Sequence, residues 1–128
     1  MTRVNCVPPG QLHSKFLMAE YHEIPRVLTL VHKAQEAGKT PADCGIPDRY
    51  VLGAGHVRFF YVRCLWIARR IGELADEMRL RGMEPRYGAA YDRLVDLEAH
   101  WCNDWVPDDQ ALYLNRLRLA ERSRDLNL

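Results

Sequence analysis

The sequence of 128 residues contains no run of about 18 apolar residues and no apolar stretch near its N-terminus. A transmembrane helix and a secretory signal peptide both need such a stretch, so neither is expected. The chain also has no internal repeat and no low-complexity segment. Hydrophobic residues make up 48% and charged residues 27%, which is typical of a globular protein and excludes disordered, collagen-like and coiled-coil classes. Because single domains commonly contain about 100–150 residues, residues 1–128 are predicted to form one domain.

Closely paired cysteines are absent as well. The four cysteines stand 38, 20 and 38 positions apart, and none belongs to a Cys-x-x-Cys pair. This spacing indicates neither a zinc site nor a redox motif, and no metal or other cofactor is expected. Since no signal peptide is visible, we expect reduced thiols and a cytoplasmic protein.

The sequence also lacks an excess of charge of either sign. Its net charge of +1 argues against a protein that coats nucleic acid by bulk charge. The charge is unevenly distributed, however: residues 1–83 carry a net +4, residues 84–109 a net −5 and residues 110–128 a net +2. Affinity for nucleic acid depends on the phosphates contacted rather than on net charge, so a basic cleft on a balanced surface is expected.

No segment alternates between apolar and polar residues as a half-buried strand does, so the sequence predicts an all-α fold. Three main helices are expected, over residues 14–37, 58–81 and 108–124. Long irregular loops rich in glycine and proline separate them, with a short helix near residues 91–100.

The first predicted helix contains a proline. Its apolar stripe recurs at steps of three and four residues, at Leu17, Tyr21, Ile24, Leu28 and Val31. Pro25 lies inside this stripe, and an interior proline usually kinks a helix at a cost of about 3 kcal/mol. Because the stripe continues on both sides, we expect one kinked helix rather than two helices.

The second and third predicted helices also have recognisable faces. The stripe of the second is Phe60, Cys64, Ile67, Ile71, Leu74 and Met78. Arg69 and Glu73 are expected to pair on its flank, and Gly82 to end it. In the third helix, Leu114, Leu117 and Ala120 are predicted to face the core, whereas Asn115, Arg118 and Arg122 share another face.

The N-terminus offers a possible nucleophile. Met1 precedes Thr2, and methionine is usually removed before a small residue, which would expose the α-amine of Thr2. An α-amino group has a pKa of about 7.7–8.0, against about 10.4 for lysine, so far more of it is neutral at physiological pH. A neutral terminal amine suits Schiff-base chemistry, although many ordinary proteins also begin with Met-Thr.

Glu23 and Arg26 flank Pro25 on one helical face. They are three residues apart and could form a simple surface ion pair worth a few tenths of a kcal/mol. Alternatively, Glu23 lies in a cleft, where its carboxylate transfers protons beside an amine nucleophile and Arg26 binds an anion.

Three sequence blocks together resemble the pyrimidine-dimer DNA glycosylases of the phage-type endonuclease V family. The blocks are Met-Thr-Arg-Val-Asn at 1–5, Leu-Met-Ala-Glu-Tyr-His-Glu-Ile-Pro-Arg-Val at 17–27 and Leu-Gly-Ala-Gly-His-Val-Arg-Phe-Phe-Tyr at 52–61. A fainter match is Asp-Trp-Val-Pro at 104–107 with Asn-Arg-Leu-Arg-Leu at 115–119. The resemblance covers nearly the whole chain and is dense over residues 1–61.

The resemblance implies a compact all-α enzyme with two activities, glycosylase and AP lyase, on duplex DNA that contains pyrimidine dimers or abasic sites. It implies that Thr2 is the nucleophile, that Glu23 is the essential carboxylate and that the protein acts as a monomer without a cofactor. The residues that it matches to DNA contacts are Arg3, His22, Arg26, Arg118 and Arg122. A flipped nucleotide is also implied, since unstacking costs least at a damaged site.

Other positions are assigned structural roles, and other functions stay open. His56 is expected to brace its loop, and Trp101 and Trp105 to be core residues rather than stacking groups for DNA. The alternatives are the same imine chemistry on a different damaged or modified base, a DNA-binding module that has lost catalysis, and a helical protein that binds a protein partner. An exposed apolar patch in place of a basic groove would favour the last.

Overall fold

The computed structural model describes residues 2–128, and this range contains α-helices and short 3₁₀ turns but no β-strand. The all-α prediction is therefore confirmed. The five α-helices are α1 (Ser14–Glu23), α2 (Pro25–Glu36), α3 (His56–Phe59), α4 (Cys64–Leu80) and α5 (Asp109–Asp125). None of these helices combines the length and the apolar character needed to cross a membrane.

The core lies where α4 packs against α1 and α2. The predicted stripe of α4 is buried, and Cys64, Ile67, Ile71 and Leu74 have no exposed surface. The stripe predicted for the first helix is also completely buried. The two apolar stripes therefore face one another, as the spacing of three and four residues predicted.

The first predicted helix is divided in the structure. Two helices, α1 and α2, meet at Ile24, so the expectation of a single helix is wrong, although the interruption lies at the predicted proline. Ile24 keeps helical backbone angles (φ −59°, ψ −35°), and the apolar stripe continues across it. The division arises because Pro25 has no N–H to donate to the carbonyl of Tyr21.

The second predicted helix is also shorter than expected. Arg63 has a non-helical backbone (φ −128°, ψ 36°), so a short α3 and a 3₁₀ turn (Phe60–Val62) precede α4. Gly82 follows α4 with φ of +81°, in agreement with the predicted stop. Arg69 does not pair with Glu73 as expected; it forms an ion pair with Asp104 at 2.6 Å.

The orientation predicted for α5 is only partly correct, because Leu114 packs against the core as expected but Leu117 and Ala120 do not. Asp108 caps this helix by accepting the Ala111 N–H at 2.8 Å. Leu117, expected in the core, is 42% exposed and Ala120 is exposed, whereas Asn115 is completely buried. The polar face is turned inward because α5 covers an irregular backbone segment that needs hydrogen-bond partners, as described below.

Residues 84–101, which we call the strap, run from the end of α4 along α1 and α2. Two 3₁₀ turns, Tyr91–Leu94 and Ala99–Trp101, replace the single short helix predicted there. Side chains of α2 bind the backbone of the strap: His32 Nε2 lies 2.8 Å from the Arg93 carbonyl, and Gln35 donates to the Asp96 carbonyl at 2.7 Å.

The strap also packs closely against α4. The Ala90 N–H donates to the Ala68 carbonyl at 3.3 Å. A Cβ atom added at Gly72 would lie only 2.9 Å from the Cβ of Ala89, so glycine is needed for this close approach. The strap therefore connects α4 to the junction of α1 and α2.

Candidate active site

The N-terminal segment, residues 2–7, belongs to no helix and no strand. Every residue of this segment except Arg3 is buried, and Thr2 is only 7% exposed. Buried backbone groups must form hydrogen bonds, so side chains from other elements have to supply the partners.

The N–H groups of the segment are bound by three distant side chains. The Glu23 carboxylate accepts the Arg3 N–H at 3.1 Å. His56 Nε2 accepts the Val4 N–H at 2.9 Å. Asn115 Oδ1 accepts two N–H groups, those of Cys6 at 2.7 Å and Val7 at 3.0 Å.

The carbonyl groups of the segment are bound in the same way. Tyr50 Oη donates to the Val4 carbonyl at 3.0 Å, and Arg118 Nη2 donates to it at 3.2 Å. Arg70 Nη1 donates to the Val7 carbonyl at 2.7 Å. Burial raises the pKa of Tyr50, so its hydroxyl stays protonated and remains a donor.

A buried chain of polar side chains supports these contacts. Asn115 Nδ2 donates to Asn5 Oδ1 at 2.7 Å, and Asn5 Nδ2 donates to Glu20 Oε1 at 2.9 Å. Arg70 completes the chain with a bidentate contact to Glu20. Its Nε donates to Oε2 at 2.9 Å and its Nη2 donates to Oε1 at 3.1 Å. Glu20 and Arg70 are 1% and 2% exposed, so a desolvated ion pair joins α1 to α4 beneath the segment. The hydrogen bonds of Asn5 and Asn115 extend this connection to α5.

His56 braces its loop, as predicted, and it also braces the N-terminal segment. Its Nε2 accepts the Val4 N–H, so the ring proton lies on Nδ1, which donates to the Val51 carbonyl at 2.8 Å. This arrangement requires a neutral ring, because an imidazolium cannot accept a hydrogen bond. Burial is the main cause that lowers the pKa of His56 from 6.5 to about 4.

The low pKa of His56 predicts an acid-sensitive fold. Between pH 6.5 and about 4 the unfolded chain binds a proton at His56 that the folded chain does not. The free energy of unfolding should therefore decrease as the pH falls through this range, by about 3 kcal/mol in total. Urea unfolding of the wild type and His56→Gln at several pH values measures this contribution, and His56→Gln should show the shallower dependence. Exposed His22→Gln is the control, and equal slopes for wild type and His56→Gln would contradict the assignment.

Two clefts adjoin the N-terminal segment, and Arg3 and Arg118 line both of them. Glu23 lies in the first cleft together with Arg122. Thr2 lies in the second. The other residues of the second cleft are Leu52, Gly53, Gly55, His56, Val57, Arg58 and Glu121. The structure therefore brings the predicted nucleophile and the predicted carboxylate to neighbouring clefts lined by arginines, as the charge distribution led us to expect.

A comparison with models of protein families identifies the family of this chain. Residues 1–90 match the model of a family described as pyrimidine dimer DNA glycosylase. The chain belongs to this family. It is accordingly a DNA repair glycosylase whose substrate is DNA with pyrimidine dimers. The matched range includes Thr2, Glu23 and His56, whereas Asn115 and Arg118, which bind the N-terminal segment, follow it.

The residues predicted to bind DNA have two different environments in this glycosylase. Arg3, Arg118 and Arg122 line the clefts, although Arg118 is partly committed to the Val4 carbonyl. His22 and Arg26 are exposed on α1 and α2 and line neither cleft. Within residues 2–128, Glu23 makes no ion pair with Arg26, so the simple surface-pair interpretation is wrong.

Sequence reasoning missed the residues that hold the N-terminal segment in this glycosylase. Glu20 follows Leu17 by three residues and Arg70 follows Ile67 by three, so both charges lie on buried stripes. Two opposite charges on facing apolar stripes were a usable signal for a buried ion pair. Asn115 gave a weaker signal, because nothing in the sequence indicated that the polar face of α5 is the inner one.

The two tryptophans, the expected lack of a metal site and Met1 are the remaining subjects of prediction. Trp101 is completely buried, so it is a core residue as predicted. Trp105 is only partly buried, and it packs against Tyr50, Phe59, Phe60 and Trp66 at the edge of the core. No three His, Cys, Asp or Glu side chains of residues 2–128 are grouped so that they could hold a metal ion. Met1 lies outside the described residues, and its removal stays a prediction.

Proposed function

We propose that this DNA glycosylase is bifunctional and that the α-amine of Thr2, exposed by removal of Met1, is its nucleophile. The observation that supports this most directly is the 3.1 Å hydrogen bond from the Arg3 N–H to the Glu23 carboxylate. This bond ties the residue next to Thr2 to an acidic side chain. An amine and a proton-transferring carboxylate on a rigid support are what imine chemistry requires.

In the proposed reaction, the amine nitrogen bonds to C1′ of the damaged nucleotide as the bond from C1′ to the base breaks. The base leaves with a proton. That proton comes from the amine. The nitrogen then passes its remaining proton to the ring oxygen as the bond between C1′ and that oxygen breaks, which opens the sugar and yields an imine. Removal of a proton from C2′ breaks the bond between C3′ and the phosphate oxygen and nicks the strand, and water finally releases the enzyme from the imine.

Glu23 is proposed to serve this sequence twice. Its negative charge stabilises the positive charge that develops on the sugar as the base departs. It then moves protons between the amine, the sugar oxygen and C2′. Cys6 does not compete as a nucleophile, because burial raises the pKa of its thiol to about 12.

The DNA contacts are proposed on the same basis. Arg3, Arg118 and Arg122 surround the clefts and bind phosphates or the lesion, while exposed His22 and Arg26 contact the flanking backbone. We further propose that the enzyme acts in the cytoplasm as a monomer, without a cofactor, and that abasic sites are also substrates.

Borohydride trapping tests the proposed nucleophile. Borohydride reduces an imine to a stable amine, so incubation with a duplex that carries an abasic site or a dimer should give a covalent protein–DNA adduct. Peptide mapping should locate the adduct at Thr2, and a protein with an uncleaved N-terminal tag should give none. An adduct that survives the tag, or no adduct between pH 6 and 9, would contradict the proposal.

The chain offers a sharp control for this experiment. Its only other primary amines are Lys15, Lys33 and Lys39, all of which are exposed. A variant with all three lysines changed to arginine keeps the charge and should be trapped as efficiently as the wild type. Trapping on the abasic duplex but not on the dimer duplex would favour a different damaged base as the substrate.

A further inference from the structure

The break between α1 and α2 leaves one helical carbonyl without its usual partner. In a continuous helix the N–H of residue 25 would donate to the carbonyl of Tyr21, but Pro25 has no N–H. The structure supplies a substitute from the strap: Tyr87 Oη donates to the Tyr21 carbonyl at 3.2 Å. A phenol from a distant segment thus replaces the missing backbone donor.

The contact between Tyr21 and Tyr87 is reciprocal. Tyr21 Oη donates to the Tyr87 carbonyl at 2.7 Å and accepts the Tyr87 N–H at 2.8 Å. The two rings are stacked, with centroids 4.7 Å apart and planes inclined by 21°. Tyr21 has no exposed surface, so these bonds are fixed by the core.

A second side chain of the strap binds the other side of the junction. Arg93 Nη1 donates to the Pro25 carbonyl at 3.3 Å, and Arg93 Nη2 donates to Thr29 Oγ1 at 3.0 Å. The strap therefore binds the last turn of α1 and the first turn of α2 together.

We propose that Tyr87 is a positioning residue that fixes the carboxylate of Glu23 for the reaction, an inference that rests on the proposed function. Glu23 ends α1, two residues after the carbonyl that Tyr87 binds. The strap is seated on α4 at Gly72, and the same helix holds the N-terminal segment through Arg70. Helix α4 is therefore the common support that sets Glu23 relative to Thr2.

Tyr87→Phe is the informative substitution. It removes the bond to the Tyr21 carbonyl and keeps the ring stacking and the backbone contacts. Single-turnover cleavage of a dimer-containing duplex should be slowed roughly 10- to 100-fold, the loss expected from misplacing a reacting group by about 1 Å. The dissociation constant for the duplex should stay within about twofold, because the substitution leaves the arginines of the clefts unchanged.

Pro25→Ala provides a rescue that a merely structural role would not produce. Alanine restores an N–H at position 25 that can bind the Tyr21 carbonyl as in an ordinary helix. The variant with both Tyr87→Phe and Pro25→Ala should therefore regain most of the rate lost by Tyr87→Phe. Tyr91→Phe is the matched control, since Tyr91 is an exposed tyrosine of the strap with no hydrogen bond among the described residues.

Different results would contradict the positioning role of Tyr87 and the proposed function. An unchanged rate for Tyr87→Phe, a loss that Pro25→Ala does not restore, or an equal loss of DNA affinity would overturn the role of Tyr87. Should the wild type form no trapped adduct, the proposed function fails instead. Amide hydrogen exchange over residues 21–28 then still tests the junction: Tyr87→Phe should accelerate it and Pro25→Ala should reverse the change, and equal exchange in all variants would overturn the positioning role.

Discussion

Glu23→Gln is expected to slow strand cleavage about 100- to 10,000-fold, the range that a lost proton-transferring group usually costs. Glutamine is nearly isosteric and its amide oxygen can still accept the Arg3 N–H, so the N-terminal segment should keep its position. Removal of one negative charge beside Arg3 and Arg122 should leave DNA affinity equal or slightly higher. Single-turnover cleavage and fluorescence anisotropy on the same dimer-containing duplex measure the two quantities separately.

Substitutions of two other glutamates test whether the loss of cleavage is specific to Glu23. Glu36→Gln removes an exposed charge at the end of α2 and should leave cleavage unchanged. Glu121 lines the cleft that contains Thr2 and is the competing candidate for the carboxylate. If Glu121→Gln stops cleavage while Glu23→Gln does not, the assignment of Glu23 is wrong.

The largest effect on stability is expected from Arg70→Met. This substitution keeps most of the side-chain volume but leaves the Glu20 carboxylate buried without its cation. Breaking a buried ion pair from one side typically costs about 3–5 kcal/mol, a large part of the 5–15 kcal/mol that stabilises an ordinary domain. The Val7 carbonyl also loses its donor, so the N-terminal segment should loosen as well. Urea unfolding at neutral pH measures the change in the free energy of unfolding.

The adjacent arginine provides the matched control. Arg69 pairs with Asp104 at the surface, where the two side chains are 37% and 49% exposed. Arg69→Met should therefore cost at most about 1 kcal/mol. Adding Glu20→Gln to Arg70→Met removes the orphaned charge and should recover much of the lost stability. Equal effects of Arg69→Met and Arg70→Met would show that the buried pair has no special importance.

The sequence predicted those parts of the fold that depend on local spacing. The stripes of the first helix and of α4 followed from apolar residues three and four positions apart, and both are buried. Pro25 and Gly82 correctly marked an interruption and an end, because their backbone properties act within one turn.

The errors concern contacts between residues far apart in the sequence. Arg69 has Glu73 on its own helix but binds Asp104, 35 residues away. The inner face of α5 was assigned to Leu114, Leu117 and Ala120, yet Asn115 is completely buried, since its amide oxygen accepts backbone N–H groups 108 and 109 positions earlier. No helical periodicity encodes such a partner. A segment that lacks regular structure must be recognised first, and its need for hydrogen bonds then determines which face turns inward.

The candidate site shows the same contrast between features that a local motif encodes and contacts between distant parts of the chain. Thr2 and Glu23 were predicted from their chemistry and from the resemblance to a known family, and they lie at neighbouring clefts joined by Arg3. The side chains that hold this arrangement, among them Tyr50 and Asn115, come from separate parts of the chain. Their role depends on the assembled fold, so it could not be inferred from any one motif.

The attachment of the N-terminal segment to α5 has a consequence for how the enzyme is made. During synthesis Asn115 is added 109 residues after Cys6, whose N–H it accepts in the folded protein. A chain interrupted before Asp109 contains Thr2 and Glu23 yet lacks Asn115 and Arg118, two of the side chains that bind the segment. Such a chain should therefore be unable to hold the N-terminal segment in order. The fold thus makes an ordered N-terminal segment conditional on the synthesis of α5.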